Sequence, residues 1–199
     1  MSKNWTGNNK APFTCNGASN HSKLDREEND YYATHPKHVE ELLKVETFNH
    51  VIFEPAVGEG HIAKVLIEKG HKVIATDIVD RGYPNTKIKD FLTSKFKTNV
   101  NIDIITNPPY KYAKEFVEKS LNIVKKNNKV AMFLKLTFLE SSKRKKLFKK
   151  YPPKYIYVYS KRAICAKNGN FDKYPSSAIA YCWFVWVKGY ENEPKIRWL

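Results

Sequence analysis

Residues 51–70 read VIFEPAVGEGHIAKVLIEKG, and this stretch decides what kind of fold the chain adopts. Val51, Ile52 and Phe53 form a β-branched and aromatic run, the composition of a short buried strand. The run passes through Glu54-Pro55-Ala56 into a turn that holds Gly58 and Gly60. Ile62, Ala63, Val65, Leu66 and Ile67 then supply one apolar helix face, and Gly70 stands where a helix closes on a left-handed residue. Strand, glycine-rich turn and helix together bring bare backbone up to a nucleotide-like ligand at a helix N-terminus. The pattern is not a full dinucleotide fingerprint, because Ala63 stands where the third glycine would be, a replacement that dinucleotide enzymes tolerate. Glu54 sets the turn apart: its carboxylate repels a pyrophosphate and attracts a sulfonium or an amino group.

Outward from the turn, a second strand over 72–76 ends at Asp77-Ile78. An acid about 20 positions beyond the glycine turn is placed to grip ribose hydroxyls. Ile88 precedes Asp90-Phe91-Leu92, a third strand end carrying an acid and an aromatic. Residues 100–112, VNIDIITNPPYKY, begin as a fourth strand in which Asp103 is the only charge, and stop at Asn107-Pro108-Pro109-Tyr110. Neither proline has an N–H for a ladder, and each restricts the residue before it to extended conformations. The strand therefore ends in a stiff tip presenting one amide, backbone carbonyls and one aromatic ring.

Such a tip suits an exocyclic amine, whose lone pair is delocalised into the adjacent π system. Two acceptors aimed at its hydrogens, the Asn107 side-chain oxygen and the Pro108 carbonyl, favour the pyramidal and more nucleophilic form as attack begins. Tyr110 can stack on the flat substrate. The other reading of these four residues alone is a proline-rich turn after a core strand, with Tyr110 as ordinary packing.

The remaining elements alternate. Pro36 opens a short helix through Val39, Leu42, Leu43 and Val45. Helices are predicted over 116–124 and 138–150, and strands over 130–136, 155–159 and 178–187. Lys135 is the one charge inside 130–136. The 138–150 helix carries Lys143, Arg144, Lys145, Lys146, Lys149 and Lys150, either as phosphate contacts or as a solvated face. The loop 161–177 is polar and basic, with Phe171 and Tyr174 inside it. This alternation argues for a parallel α/β sheet. Residues 1–29, rich in Asn, Ser, Lys and Gly, read as a flexible tail ahead of one domain over 30–199.

With 199 residues, 42% of them hydrophobic, the chain can bury one good core. A net charge of +15 points to a polyanionic partner, usually nucleic acid. The three cysteines, Cys15, Cys165 and Cys182, have no CxxC spacing, so no zinc site or disulfide framework is expected and a reducing, cytoplasmic setting is. No apolar run reaches transmembrane length, so no membrane partner is expected.

These landmarks, in this order, resemble class I S-adenosylmethionine-dependent methyltransferases, and most closely the N6-adenine amino-methyltransferases of DNA. The resemblance covers about residues 30–187. It implies a Rossmann-like fold with a mostly parallel seven-stranded sheet, an antiparallel last strand and flanking helices. It implies S-adenosylmethionine as cofactor and no metal. Residues 30–36, DYYATHP, resemble the N-terminal cofactor-contacting motif, with Tyr32 and Thr34 as contacts; His35 intrudes where many members run Thr-Pro directly. Glu54, Pro55, Ala56, Gly58 and Gly60 resemble the methionine-binding turn, Asp77 with Ile78 the ribose site, and Asp90-Phe91 the adenine-holding segment. Asn107, Pro108 and Tyr110 match the catalytic tetrapeptide, with Asn107 also beside the cofactor, and Phe171 matches an aromatic that packs on an extruded base with Tyr110. The implied activity is direct methyl transfer to the N6 amine of a flipped adenine in DNA, with RNA also possible as partner. No covalent step is implied, since no proline here precedes a cysteine. Members with defined sequence specificity usually carry a sizeable recognition region, and here only the 161–177 loop and the basic helix are offered. An RNA base amino-methyltransferase, a protein-glutamine methyltransferase and a catalytically silent nucleic-acid binder of the same fold are the alternatives.

Overall fold

A computed structural model describes residues 31–167, 169–172 and 177–199; the expected tail, Asp30 and Tyr174 lie outside the described residues. In chain order the elements are β1 (Tyr32–Thr34), α1 (Pro36–Val45), β2 (Val51–Glu54), α2 (His61–Glu68), β3 (Lys72–Asp77), β4 (Lys87–Ile88) and β5 (Asp103–Thr106). There follow α3 (Ala113–Ile123), β6 (Lys129–Lys135), α4 (Ser142–Lys150), β7 (Tyr155–Val158), β8 (Cys165–Lys167), β9 (Tyr181–Val187) and β10 (Lys195–Trp198).

The main sheet has eight strands in the order β10-β7-β9-β6-β5-β2-β3-β4. All run parallel except β9, which slots antiparallel between β6 and β7. Side chains alternate across each strand, so the sheet has two apolar faces. Phe53, Ile104, Met132 and Phe184 meet Phe116, Val117 and Leu121 of α3 and Leu147 of α4 on one face. Ile52, Ile105, Phe133 and Trp183 meet Val39 and Leu42 of α1 and Ile62 and Leu66 of α2 on the other. Among the described residues, no helix is long and apolar enough to cross a membrane.

The structure departs from the sequence reading at four places. The antiparallel strand is followed by one more, β10, parallel to β7 at the sheet edge; its four residues are all exposed, so no burial pattern marks it. The predicted 138–150 helix is split: residues 136–139 form a 3₁₀ turn, and α4 starts only after Ser141, whose side chain accepts from the Arg144 N–H. The fourth strand starts at Asp103 rather than Val100, which makes only an isolated bridge to Val124. Finally, the polar 161–177 loop contains β8, which pairs antiparallel with β1 through Thr34 and Cys165.

Candidate active site

Because β2 lies parallel between β3 and β5, the carboxyl ends of these strands share one edge of the sheet. This brings Glu54, Asp77 and Asn107 to a common rim, where open α/β sheets bind ligands.

The turn after β2 is held by its own backbone. The Val57 N–H donates to the Thr76 carbonyl at 3.0 Å, and the Gly60 N–H to the Val57 carbonyl at 2.9 Å. Gly58 and Gly60 have φ of 56° and 79°, the left-handed region that favours glycine. Gly60 caps α2 without a side chain, so the first amides of that helix are not covered by one. A Cβ on Gly58 would collide with the Tyr31 ring, and one on Gly60 with the Tyr83 ring. Two aromatic rings thus lie directly on the bare turn, and the Arg81 guanidinium stacks on one of them, 4.2 Å from the Tyr31 centroid. The Tyr31 hydroxyl accepts from the Glu59 N–H at 3.3 Å.

Asp77 braces this turn. One carboxylate oxygen accepts from the Gly58 N–H at 2.8 Å and the other from the Val79 N–H at 3.0 Å. Ile78, next to it, is exposed. Glu54 is 1% exposed and its Oε2 has no hydrogen-bond partner. Burial and the neighbouring Asp77 charge hold its carboxyl well above the usual range, against one hydrogen bond from the Ala63 backbone. The hydroxyls of Thr34 and Thr106 are likewise buried without partners. Three of the four such side chains among the described residues therefore sit at this rim, with only Ser120 elsewhere. A buried orphan costs about 1–3 kcal/mol, so their clustering singles out this rim as the candidate ligand site.

Asn107 is anchored from the side of the small sheet. Its Nδ2 donates to the Tyr32 carbonyl at 2.6 Å and contacts the Cys165 sulfur at 3.6 Å. A carbonyl only accepts, so the nitrogen must face Tyr32 and the amide orientation is set by chemistry. Pro108 is buried, while the Pro109 carbonyl is taken by the Tyr112 N–H in a short 3₁₀ turn. Tyr110 is half-buried, its hydroxyl 3.3 Å from the Cys165 sulfur. Its ring neighbours those of Tyr32 and Tyr181, with centroids 6.1 and 5.9 Å away, and the Lys135 ammonium stands 4.7 Å from its centroid. Burial pushes the Cys165 thiol up to about 11 and raises the Tyr110 phenol well above its usual range, so neither serves as a base.

The other expected positions are more scattered. Pro55 and Ala56 carry the chain from β2 into the turn. Asp90 is engaged locally, accepting from the Leu92 N–H at 2.8 Å and the Thr93 hydroxyl at 2.9 Å. Phe91 is buried in the core against Phe53 and Phe116. Phe171 lies edge-on to His35 and His61, at 4.8 and 5.2 Å, and so covers the N-termini of α1 and α2. Lys143, Lys145, Lys146, Lys149 and Lys150 are exposed, while Arg144 is half-buried with its guanidinium over Phe138. Since α4 follows β6, only its start, with Lys143 and Arg144, shares the rim; Lys149 and Lys150 lie at the far end. Sequence reasoning placed Tyr31 in the 30–36 motif without a role of its own and missed Arg81, Tyr83, Lys135, Cys165 and Tyr181. Lys135, the lone charge in an apolar strand, was the one with a visible signal.

No protein-family model and no curated protein matches the chain. Solved structures match it in fold. A protein described as a class I S-adenosylmethionine-dependent methyltransferase from Listeria monocytogenes has a TM-score of 0.55 at 14% identity, covering 81% of this chain and 62% of its own. One described as an O-methyltransferase from Agrobacterium tumefaciens has a TM-score of 0.58 at 11% identity, covering 77% and 81%. A modification subunit, described as that of a type I restriction enzyme, from Vibrio vulnificus YJ016 has a TM-score of 0.61 at 12% identity, covering 95% of this chain and 50% of its own. The chain spans less than two thirds of the first and third of these proteins. The fold is that of the class I S-adenosylmethionine-dependent methyltransferases.

Proposed function

We propose that the protein is an N6-adenine methyltransferase that binds S-adenosylmethionine at the glycine turn and acts on a base flipped out of DNA. The observation that carries this reading is the anchored amide of Asn107. With Nδ2 committed to the Tyr32 carbonyl, Oδ1 is the atom left to accept from a substrate amine. Such an acceptor draws the amine toward its pyramidal, nucleophilic form. Tyr110 and Phe171 provide aromatic surface for the base, and the charge of +15 suits a polyanion.

The chain's residues fit the cofactor. Glu54 offers the one unpartnered oxygen of a buried carboxyl to its cationic methionine end, Gly58 and Gly60 offer backbone without Cβ beneath the Tyr31 and Tyr83 rings, and Asp77 retains acceptor capacity for ribose hydroxyls. Tyr32 and Thr34 would border the same site, with Ile78, Asp90 and Phe91 on the adenine side. Bound there, S-adenosylmethionine supplies an activated methyl group on a sulfonium. The chain's own part is to hold the amine at Asn107, exclude water with the tyrosine cluster and neutralise charge at Glu54. Lys143 and Arg144 stand at the rim for flanking phosphates, with Lys145, Lys146, Lys149 and Lys150 extending the basic face. The likeness to a restriction modification subunit over 95% of this chain favours DNA among polyanions.

The test is to incubate the protein with labelled cofactor and duplex DNA, RNA or a glutamine-bearing peptide, and to identify the methylated atom. Label on adenine N6 of DNA is expected, and Asn107→Ala should lower the rate about 10²–10³-fold with cofactor binding retained. Label on RNA or peptide alone, or an unimpaired Asn107→Ala, would overturn the reading.

A further inference from the structure

Lys135 ends β6 at the rim and is half-buried. Several other half-buried lysines find oxygen partners: Lys119 bonds the carbonyls of Leu92 and Ser94, Lys129 pairs with Glu46, and Lys188 bonds the Val124 carbonyl, while Lys154, just before β7 and away from the rim, rests on the Tyr155 ring. Lys135 has none. Among the described residues no carboxylate lies within ion-pair distance of it, and its ammonium rests on the Tyr110 ring. An ammonium is strongly hydrated, and a half-buried one that rests on a ring beside a neutral thiol is ready to exchange that contact for an anion. A charge-assisted bond to phosphate is stronger than contact with a ring face.

Resting on the reading above, we propose that Lys135 is the anion contact of the acceptor site, holding a phosphate that flanks the target nucleotide once the base lies on Tyr110. The four-carbon stem lets the ammonium leave the ring face as the base arrives. The flipped nucleotide necessarily brings its phosphates with it, so one event vacates the ring and supplies the counter-charge. Lys135 is thus a positioning residue: it touches the backbone of the substrate and not the reacting nitrogen.

The experiment compares wild type, Lys135→Met and Lys135→Arg on a duplex carrying the adenine that the wild type methylates. A second duplex has a neutral methylphosphonate on either side of that adenine. Neutralising the right phosphate should raise the wild-type KM about 10-fold with little change in kcat. Lys135→Met should show the same rise on the ordinary duplex and no further rise on the neutral one, while Lys135→Arg restores most of the difference. Unchanged cofactor affinity by calorimetry shows that the variants are folded. Losses that multiply, or an unaltered KM in Lys135→Met, would overturn the proposal and leave the methyltransferase reading standing. No methylation of either duplex by the wild type would overturn both.

Discussion

The two edges of the sheet use buried acids to opposite ends. At the amino edge, Asp103 is 2% exposed and its carboxylate accepts from the Asn49 N–H at 2.6 Å, the Asn49 side-chain amide at 3.0 Å and the Lys129 N–H at 2.6 Å. Nearby Glu46, also buried, takes the Lys129 ammonium and the Tyr157 hydroxyl. At the carboxyl edge Glu54 is as deeply buried, yet one of its oxygens has no partner and the nearest charge is another acid. A carboxylate completed by its own chain ties elements together. One left incomplete costs the fold stability and is kept where a ligand completes it. The amino edge is therefore read as structure, and the carboxyl edge as a site.

The contrast can be broken most forcefully at Asp103. Asp103→Ala strands the Asn49 and Lys129 amides together, and should cost on the order of 3 kcal/mol. That is a fall of roughly 6–12 °C in Tm for a chain of this size, read by thermal melting. A loss under about 1 kcal/mol would mean that the amino edge is not the clamp its geometry describes.

A smaller effect, with the opposite sign, is expected from pH at the other edge. The Glu54 carboxyl is raised in the fold above its ordinary 4.5, because burial and Asp77 favour the neutral form. A group raised on folding contributes its stability below the unfolded value, and that contribution is lost as pH rises through the folded value. In the absence of cofactor, Glu54→Gln should therefore pull ahead of the wild type as pH is raised from about 4 toward 8, since the amide stays neutral. Parallel curves over that range would show that Glu54 has a partner after all.

Much of this rim was legible before any coordinates. Gly58, Gly60, Pro108 and Pro109 constrain the backbone by themselves, so the turn after β2 and the tip after β5 could be read locally. Glu54 and Asp77 followed from their place at strand ends. What could not be read locally was long-range. Pairing of β8 with β1 joins Cys165 to Thr34, and the short apolar run 163–166 inside an otherwise polar loop does not say which strand it pairs with. The same pairing delivers the Tyr32 carbonyl and the Cys165 sulfur to Asn107, so the orientation of the amide was invisible while its identity was plain. β10 was missed because an exposed edge strand of four residues carries no alternation of burial. Tyr31 and Tyr83 belong to different segments, and each lies over a different glycine of the turn.

The central claim, that Glu54 is an incomplete carboxylate kept for a cationic ligand, is tested most directly by melting wild type and Glu54→Gln with and without S-adenosylmethionine at neutral pH. Without ligand the variant should be at least as stable as the wild type, because an uncompensated buried acid has been removed. With ligand at about 100 times its Kd, the wild type should gain about 2.7 kcal/mol, and the variant, having lost the charge-assisted contact, most of a unit to two units less. Equal ligand-induced shifts in the two proteins, or a variant that is markedly less stable on its own, would contradict the account.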